Sequence, residues 1–295
     1  MAEIGIVIVN YNGEKFQNKC IRSIYESTFK DIEIVVVDSG SSDKSIEMLY
    51  NEFPDVHIIE MEDNVGVAAG NNIGIRYCLD HEDEYIMLMN NDIERAPDMI
   101  EIMYRHADNN TIIVPKIYYY DPHNVIWFAG GELDWKHGCS VHIGLNEIDK
   151  GQYDQKKSIS YAPTCSMLLH QSVFQIIGEI DERYFMYFDD TDLCARISQV
   201  SDYNIKYVPE AVMWHKVSSS SGSGSKLKIY YQTRNKLIFI NKFKNKTSVY
   251  TYLYTYVQML ARFIKSPFKY KNYSVIPKAY MDYKHNRLYK NDNKL

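Results

Sequence analysis

Between residues 4 and 92, short apolar runs alternate with helix-patterned segments, and this alternation limits the possible folds more than any other feature of the chain. Ile4-Gly5-Ile6-Val7-Ile8-Val9 has no polar face, so it reads as a strand buried on both sides and ending at Asn10. The turn Asn10-Tyr11-Asn12-Gly13 leads into a helix from about Phe16 to Tyr25. A second strand, Ile32 to Val37, ends in Asp38-Ser39-Gly40-Ser41-Ser42-Asp43, a turn that also caps the next helix. Val56 to Ile59 give a third strand, Asn64-Val65-Gly66 a turn, and residues 68–79 a helix. Tyr85 to Met89 form a fourth strand that ends at Asn90-Asn91-Asp92. Such repetition predicts an α/β fold: a mostly parallel sheet with helices on its faces. Ligands of these sheets bind beyond the carboxyl ends of the strands, where Asn10, Asp38, Asn64 and Asp92 all fall.

After Pro97 the pattern loosens into mixed strands with glycine corners (Gly130-Gly131, Gly138, Gly144), then a helix at Ser172 to Ile177. Ile205 to Val208 read as a further strand and Ala211 to His215 as an extended stretch. The run Ser218 to Ser225 contains only Ser and Gly and cannot pack, which leaves two readings, a lid over substrate or a linker to a tail. No internal repeat is visible. At 295 residues the chain has room for one large domain or two lobes.

Charge is unevenly divided. Residues 226–295 hold 16 of the 33 bases and two of the 38 acids, a net of +14, which leaves −19 on residues 1–225. The acidic front part disfavours nucleic acid as the main partner, whereas the basic part suits an anionic membrane face. Five scattered cysteines without paired or metal-type spacing point to a reducing cytoplasm. No signal-peptide pattern precedes the first strand, and no apolar run reaches the roughly 20 residues of a membrane span.

Residues 181–196, DERYFMYFDDTDLCAR, carry the densest chemistry. Asp181, Asp189, Asp190 and Asp192 lie among aromatic residues, where desolvation raises a carboxylate toward the basicity needed for proton abstraction. The same spacing also suits an N-cap cluster for a helix through Leu193 and Ile197. Asp92 offers an oxygen ligand of the kind Mg²⁺ or Mn²⁺ prefers, and the turn position fits it equally well as a loop residue.

In combination these segments resemble the inverting nucleotide-sugar glycosyltransferases of family 2, which have the GT-A fold, and most closely their rhamnosyltransferase-like branch. The resemblance spans residues 3–240 and rests on IVIVNYNG at 6–13, VVVDSGSSDKS at 35–45, NVGVAAGNNIGI at 64–75 and LMNNDI at 88–93. It continues through GEIDERYFMYFDDTDLCAR at 178–196, the histidine at 215 and YYQTRNKL at 230–237. It implies a catalytic domain over residues 1–225, with 1–95 binding the nucleotide and 96–225 the acceptor, followed by a basic helical region over 226–295. Asn10, Tyr11, Asn64, Gly66, Asn71 and Asn91 would line the donor site, Asp38 would bind the pyrimidine base, and Arg234 would face the diphosphate. Asp92 and His215 would hold Mn²⁺ or Mg²⁺, although the first carboxylate of the usual metal motif is Asn90 here. Asp190 would be the catalytic base, with Asp189 where glutamate is usual. The implied donor is a thymidine- or uridine-diphosphate sugar, such as dTDP-rhamnose, and the implied acceptor is a glycan or a polyprenyl-linked precursor of cell-surface polysaccharide.

Two other classes are weighed. A sugar-phosphate nucleotidyltransferase needs a glycine-rich basic loop after the first strand, where this chain has Asn10-Tyr11-Asn12-Gly13. A catalytically inactive glycan- or nucleotide-binding relative would have little reason to keep Asp38, Asp92, Asp190 and His215 together. In the tail, Val249, Leu253, Tyr256, Val257, Leu260, Ala261 and Ile264 form one helical stripe, expected to pack on the domain or else to rest on anionic headgroups. Trp127 and Trp135 are expected either on the acceptor side or in the core, and residues 286–295 are expected to fray.

Overall fold

The structure, a computed structural model, describes residues 2–216, 225–265 and 271–291. Its strands are β1 (Ile4–Asn10), β2 (Ile32–Asp38), β3 (His57–Glu60), β4 (Tyr85–Asn90), β5 (Ile93–Arg95), β6 (Thr111–Tyr119), β7 (Ile126–Phe128), β8 (Gly131–Asp134), β9 (Cys139–His142), β10 (Lys157–Ile159), β11 (Ser166–His170) and β12 (Asn204–His215). Its helices are α1 (Gln17–Tyr25), α2 (Ser45–Glu52), α3 (Gly66–Asp80), α4 (Met99–Tyr104), α5 (Ser172–Ile177), α6 (Asp189–Ile197), α7 (Lys226–Lys242), α8 (Val249–Lys265) and α9 (Ile276–Lys284).

One mixed sheet runs in the order β10-β12-β6-β11-β4-β1-β2-β3, and β8 and β9 form a separate hairpin. β1 pairs in parallel with β2 and β4, and β2 with β3, so the first half of the chain is the parallel sheet its alternation predicts. β11 enters antiparallel between β4 and β6. β1, β2 and β4 are buried along almost their whole length, because helices cover both faces. α3 lies close on β1 because Gly70 and Gly74 leave no room for a methyl group against Val9 and Val7.

The segments expected as Ile205–Val208 and Ala211–His215 form one strand, β12, with an irregular register between Val208 and Val212. Its end pairs antiparallel with β5, which sets His215 opposite Ile93 and so beside Asp92. The Ser-rich run 218–225 lies outside the described residues except for Ser225, whose hydroxyl accepts the Lys228 N–H and caps α7. α7 begins the region after residue 225, yet its Leu237, Phe239 and Ile240 belong to the same core as the sheet.

α8 is inverted relative to the commoner expectation. Its buried residues are Thr251 and Thr255, while Val249, Leu253, Val257, Leu260 and Ile264 are each more than half exposed. Of residues 286–295, expected to fray, 292–295 lie outside the described residues, and 286–291 are held: the Tyr289 N–H donates to the Arg183 carbonyl at 3.1 Å, and the Asn291 N–H donates to the Tyr231 hydroxyl at 2.9 Å.

Candidate active site

At the carboxyl ends of β1 and β4 lies a cavity of about 360 Å³, lined among others by Tyr11, Ser39, Asn64, Gly66, Asn90, Asn91, Asp92, Phe185, Met186, Tyr231 and Lys290. A larger hollow of about 530 Å³ at the opposite strand ends is lined by Glu3, Asp31, Glu82 and Glu84, which would repel a diphosphate.

A knot of polar groups joins the strand ends beneath the cavity. The buried Asn10 amide donates to Asp38 Oδ1 (2.8 Å) and to the Ser45 hydroxyl (2.9 Å), and its carbonyl oxygen accepts from the Asn91 amide (2.8 Å). Asp38 is also buried, and it accepts the Ser41 N–H (2.8 Å) and hydroxyl (2.6 Å). Asn10 and Asp38, which face each other in the β1–β2 register, therefore shape the cavity from below, and Ser39 is the neighbour that lines it. Asn64 accepts the Gly66 N–H at 2.9 Å. Gly66 has φ +84°, and a Cβ there would sit 2.4 Å from the Phe185 ring and 2.6 Å from its carbonyl oxygen. That close approach lets the Phe185 carbonyl accept the Val67 N–H at 2.8 Å, at the start of α3. Asn71 is buried within α3 and does not line the cavity.

His215 Nε2 lies 3.1 Å from Asp92 Oδ1, both side chains being buried, in a pair fixed by the β5–β12 ladder and by the Lys216 N–H on the Asp92 carbonyl (2.9 Å). His215 Nδ1 is buried without a hydrogen-bond partner. Trp127 stands edge-on to both His215 (4.7 Å between ring centres) and His142 (4.6 Å), and His142 lies 5.6 Å from the Tyr161 ring. The Tyr161 hydroxyl donates to Asp190 Oδ2 at 2.7 Å. An unbroken arc of side chains thus joins Asp92 to Asp190. Burial first, and then the charges of Asp92 and Asp190, push the Cys165 thiol up, so both carboxylates act on one residue.

The four carboxylates of residues 181–192 divide into two kinds. Lys242 bridges Asp181 (2.8 Å) and Asp192 (2.6 Å), with Arg183 on the first and Arg196 on the second. These two are structural ion pairs. Asp189 and Asp190 stand at the start of α6 with no salt bridge to Lys or Arg among the described residues. Burial, and then the charge of Asp190, push Asp189 up to about 8. Burial also raises Asp190, partly offset by the Tyr161 hydroxyl and by the N–H (2.6 Å) and hydroxyl (3.1 Å) of Thr191. Those donors favour the charged form of Asp190, so the proton shared by the pair belongs on Asp189 and the negative charge on Asp190.

Phe185, Tyr187 and Phe188 all have positive φ (65°, 63° and 69°), a conformation that costs a bulky side chain on the order of 1–3 kcal/mol each. The Asn235 amide holds the loop by donating to the Tyr184, Met186 and Tyr187 carbonyls at 2.8, 2.8 and 2.9 Å. Here the expectation for Arg234 fails. Its guanidinium is fully buried and donates to the carbonyls of Tyr289 (2.8 Å), Arg183 (3.0 Å) and Tyr184 (3.2 Å), so it grips backbone and does not reach the cavity. Among the described residues, the cation that lines the cavity is Lys290. Tyr161, His142, Thr191, Asn235 and Lys290 escaped the sequence reading. Trp127 packs between His142 and His215, whereas Trp135 stacks on Phe239 at 5.7 Å in the core.

A family model described as glycosyl transferase family 2 matches residues 5–177. Among curated proteins, the low-salt glycan biosynthesis hexosyltransferase Agl10 of Haloferax volcanii is 29% identical over 83% of this chain and 78% of its own. The dTDP-rhamnosyl transferase RfbF of Shigella flexneri is 26% identical over 82% of this chain and 81% of its own. Among solved structures, GalNAc-T7 with UDP, GalNAc and Mn²⁺ superposes with a TM-score of 0.64 at 15% identity, covering 96% of this chain and 55% of that one. Staphylococcus aureus TarS 1–349 with UDP gives 0.56 at 13% identity over 81% of this chain and 65% of that one. This chain therefore spans less than two thirds of either solved structure, which it resembles in fold. The fold is GT-A-like, and with a match over more than half of its length the chain belongs to glycosyl transferase family 2.

Proposed function

We propose that this protein is a metal-dependent inverting glycosyltransferase that moves a sugar from a nucleoside-diphosphate donor, dTDP-rhamnose or a UDP-sugar, to a hydroxyl of a glycan or lipid-linked acceptor in cell-surface polysaccharide synthesis. The observation that carries this reading is the arc linking the Asp92–His215 pair, 3.1 Å apart, to Asp190, whose charge is held by two hydroxyls rather than by a cation. The names of the hexosyl- and rhamnosyltransferase relatives support the donor class.

Among the described residues no three His, Cys, Asp or Glu converge as a metal cage. A carboxylate and an imidazole in contact nonetheless fit Mn²⁺ or Mg²⁺, with further positions left for phosphate oxygens. Asp92 and His215 would hold that cation, which when bound supplies positive charge against the diphosphate leaving group. Tyr11, Asn64 and the backbone at Gly66 border the donor, and Lys290 adds a positive charge to the same cavity. Asp190 takes the proton of the acceptor hydroxyl as the new glycosidic bond forms. Holding the two reactants in line removes much of the entropic barrier, and attack opposite the leaving group inverts the anomeric carbon. The outward stripe of α8, with Lys265 at the helix end, is the surface that rests on an anionic membrane.

Two measurements test this. Mn²⁺ should tighten calorimetric binding of UDP or dTDP at least tenfold in the wild type and fail to do so in Asp92→Asn or His215→Gln. The product should carry the anomeric configuration opposite to the donor's by proton NMR, and retention would contradict a single displacement.

A further inference from the structure

A second cavity, of about 260 Å³, lies between α7, α8 and the β8–β9 hairpin, with Lys236 and Arg262 in its wall together with His137, Phe188, Gln232 and Gln258. We propose that this cavity is an anion site that receives the phosphate or diphosphate group of the acceptor. The proposal rests on the transferase reading for the word acceptor, and on the pocket's own chemistry for the anion.

Neither Lys236 nor Arg262 has a carboxylate within ion-pair distance among the described residues. Burial lowers the Lys236 ammonium, and although Cys139 opposes this, the neighbouring Arg262 lowers it further. The acid that acts on Lys236, Asp134, is committed to His137, whose ring nitrogen lies 2.6 Å from its Oδ2 and whose N–H donates to its Oδ1 at 3.0 Å. The Tyr254 ring also neighbours Lys236, with the ammonium 5.3 Å from its centre, a weak partner for a partly desolvated charge. Lys236 is half-buried and Arg262 exposed at the rim, and two like charges on one half-open cavity repel each other unless an anion joins them. The pocket also has the right address. Phe188 in its wall immediately precedes Asp189 and Asp190, and the neighbouring hairpin hydroxyl of Ser140 lies 3.2 Å from that of Thr191. An anion seated there would bring its attached hydroxyls toward Asp190. Thr255, Gln258 and Arg262 face the pocket from the side of α8 opposite the exposed Leu253, Val257 and Leu260. A lipid-linked phosphate and a soluble phosphate-bearing glycan share the chemistry the pocket recognises.

The test is binding of inorganic pyrophosphate to the full chain by calorimetry, with UDP and Mn²⁺ saturating the donor cavity. The wild type should bind it, Lys236→Gln should bind at least tenfold more weakly with an unchanged melting temperature, and Lys236→Arg should recover most of the loss. A parallel titration compares a soluble short-chain alkyl diphosphate with a long-chain alkyl diphosphate in phosphatidylcholine vesicles. Preference for the vesicle arm identifies a lipid-linked source and equal binding a phosphate-only one, and both support the site provided Lys236→Gln abolishes them. Undetectable pyrophosphate binding by the wild type, or wild-type affinity in Lys236→Gln, overturns the proposal. Because this readout involves no turnover, a chain that bound pyrophosphate but transferred no sugar would overturn the transferase reading and leave the anion site standing.

Discussion

Asp190 and Asp189 are neighbours in opposite settings, and the difference comes from what surrounds each. Tyr161 and Thr191 donate to Asp190, whereas Asp189 is buried with backbone groups only. A base must be charged to work, so transfer should fall as pH drops through the raised value of Asp190. Tyr161→Phe removes a donor to the charged form and should move that acid limb to higher pH in a kcat/KM profile. An unmoved limb would mean that Asp190 is not the titrating base. Asp189 raises the opposite question, that of stability. Its folded value lies above the ordinary carboxylate value of 3.8, so the stability it allows when protonated is full at acid pH and is lost progressively as pH rises toward about 8. Asp189→Asn should flatten the decline in melting temperature between pH 5 and 8. At this scale the sequence was only partly legible. Desolvation among aromatics could be read from FMYFDD, but Lys242, which neutralises Asp181 and Asp192, comes from 50 or more residues away. Arg234 was misread because an arginine after Tyr230 and Tyr231 looks the same in sequence whether it grips phosphate or main-chain carbonyls.

At the level of elements, the strained turn before α6 depends on α7. Asn235→Ala would remove the side-chain donor from the Met186 and Tyr187 carbonyls and one of several donors from the Tyr184 carbonyl, a loss of about 2–4 kcal/mol measurable as a lower denaturant midpoint, with transfer falling in step. The strands of the first half were legible because runs buried on both faces leave a continuous apolar signal, and their ends were marked by Asn and Asp. The pairing of β5 with β12 was not, since a contact between Asp92 and His215 spans 123 positions and depends on the order of strands in the sheet. α8 shows another limit. Periodicity locates an apolar stripe but does not say which way it faces, and here the threonines turn inward. Leu253→Glu with Leu260→Glu should therefore change stability by less than about 0.5 kcal/mol, as for exposed positions, while abolishing co-sedimentation with anionic vesicles. A large drop in stability would mean that the stripe is packed.

Across the whole molecule, the acidic sheet and the basic C-terminal part meet at the cavity proposed to bind the donor. The C-terminal segment closes one side of it, with Lys290 and Asn291 in the lining and Tyr289 held by Arg183 and Arg234. This is why the divided charge could be seen in the sequence while its placement could not: residues 289–291 return to the beginning of the fold. The account depends above all on Asp190 acting as the base in a cleft that binds donor independently of it. The most direct measurement compares Asp190→Asn with the wild type for sugar transfer and, by calorimetry, for binding of UDP or dTDP with Mn²⁺. Transfer should fall by about 10²-fold or more, with nucleotide affinity within about threefold of the wild type. Transfer at a near-normal rate in Asp190→Asn would contradict it.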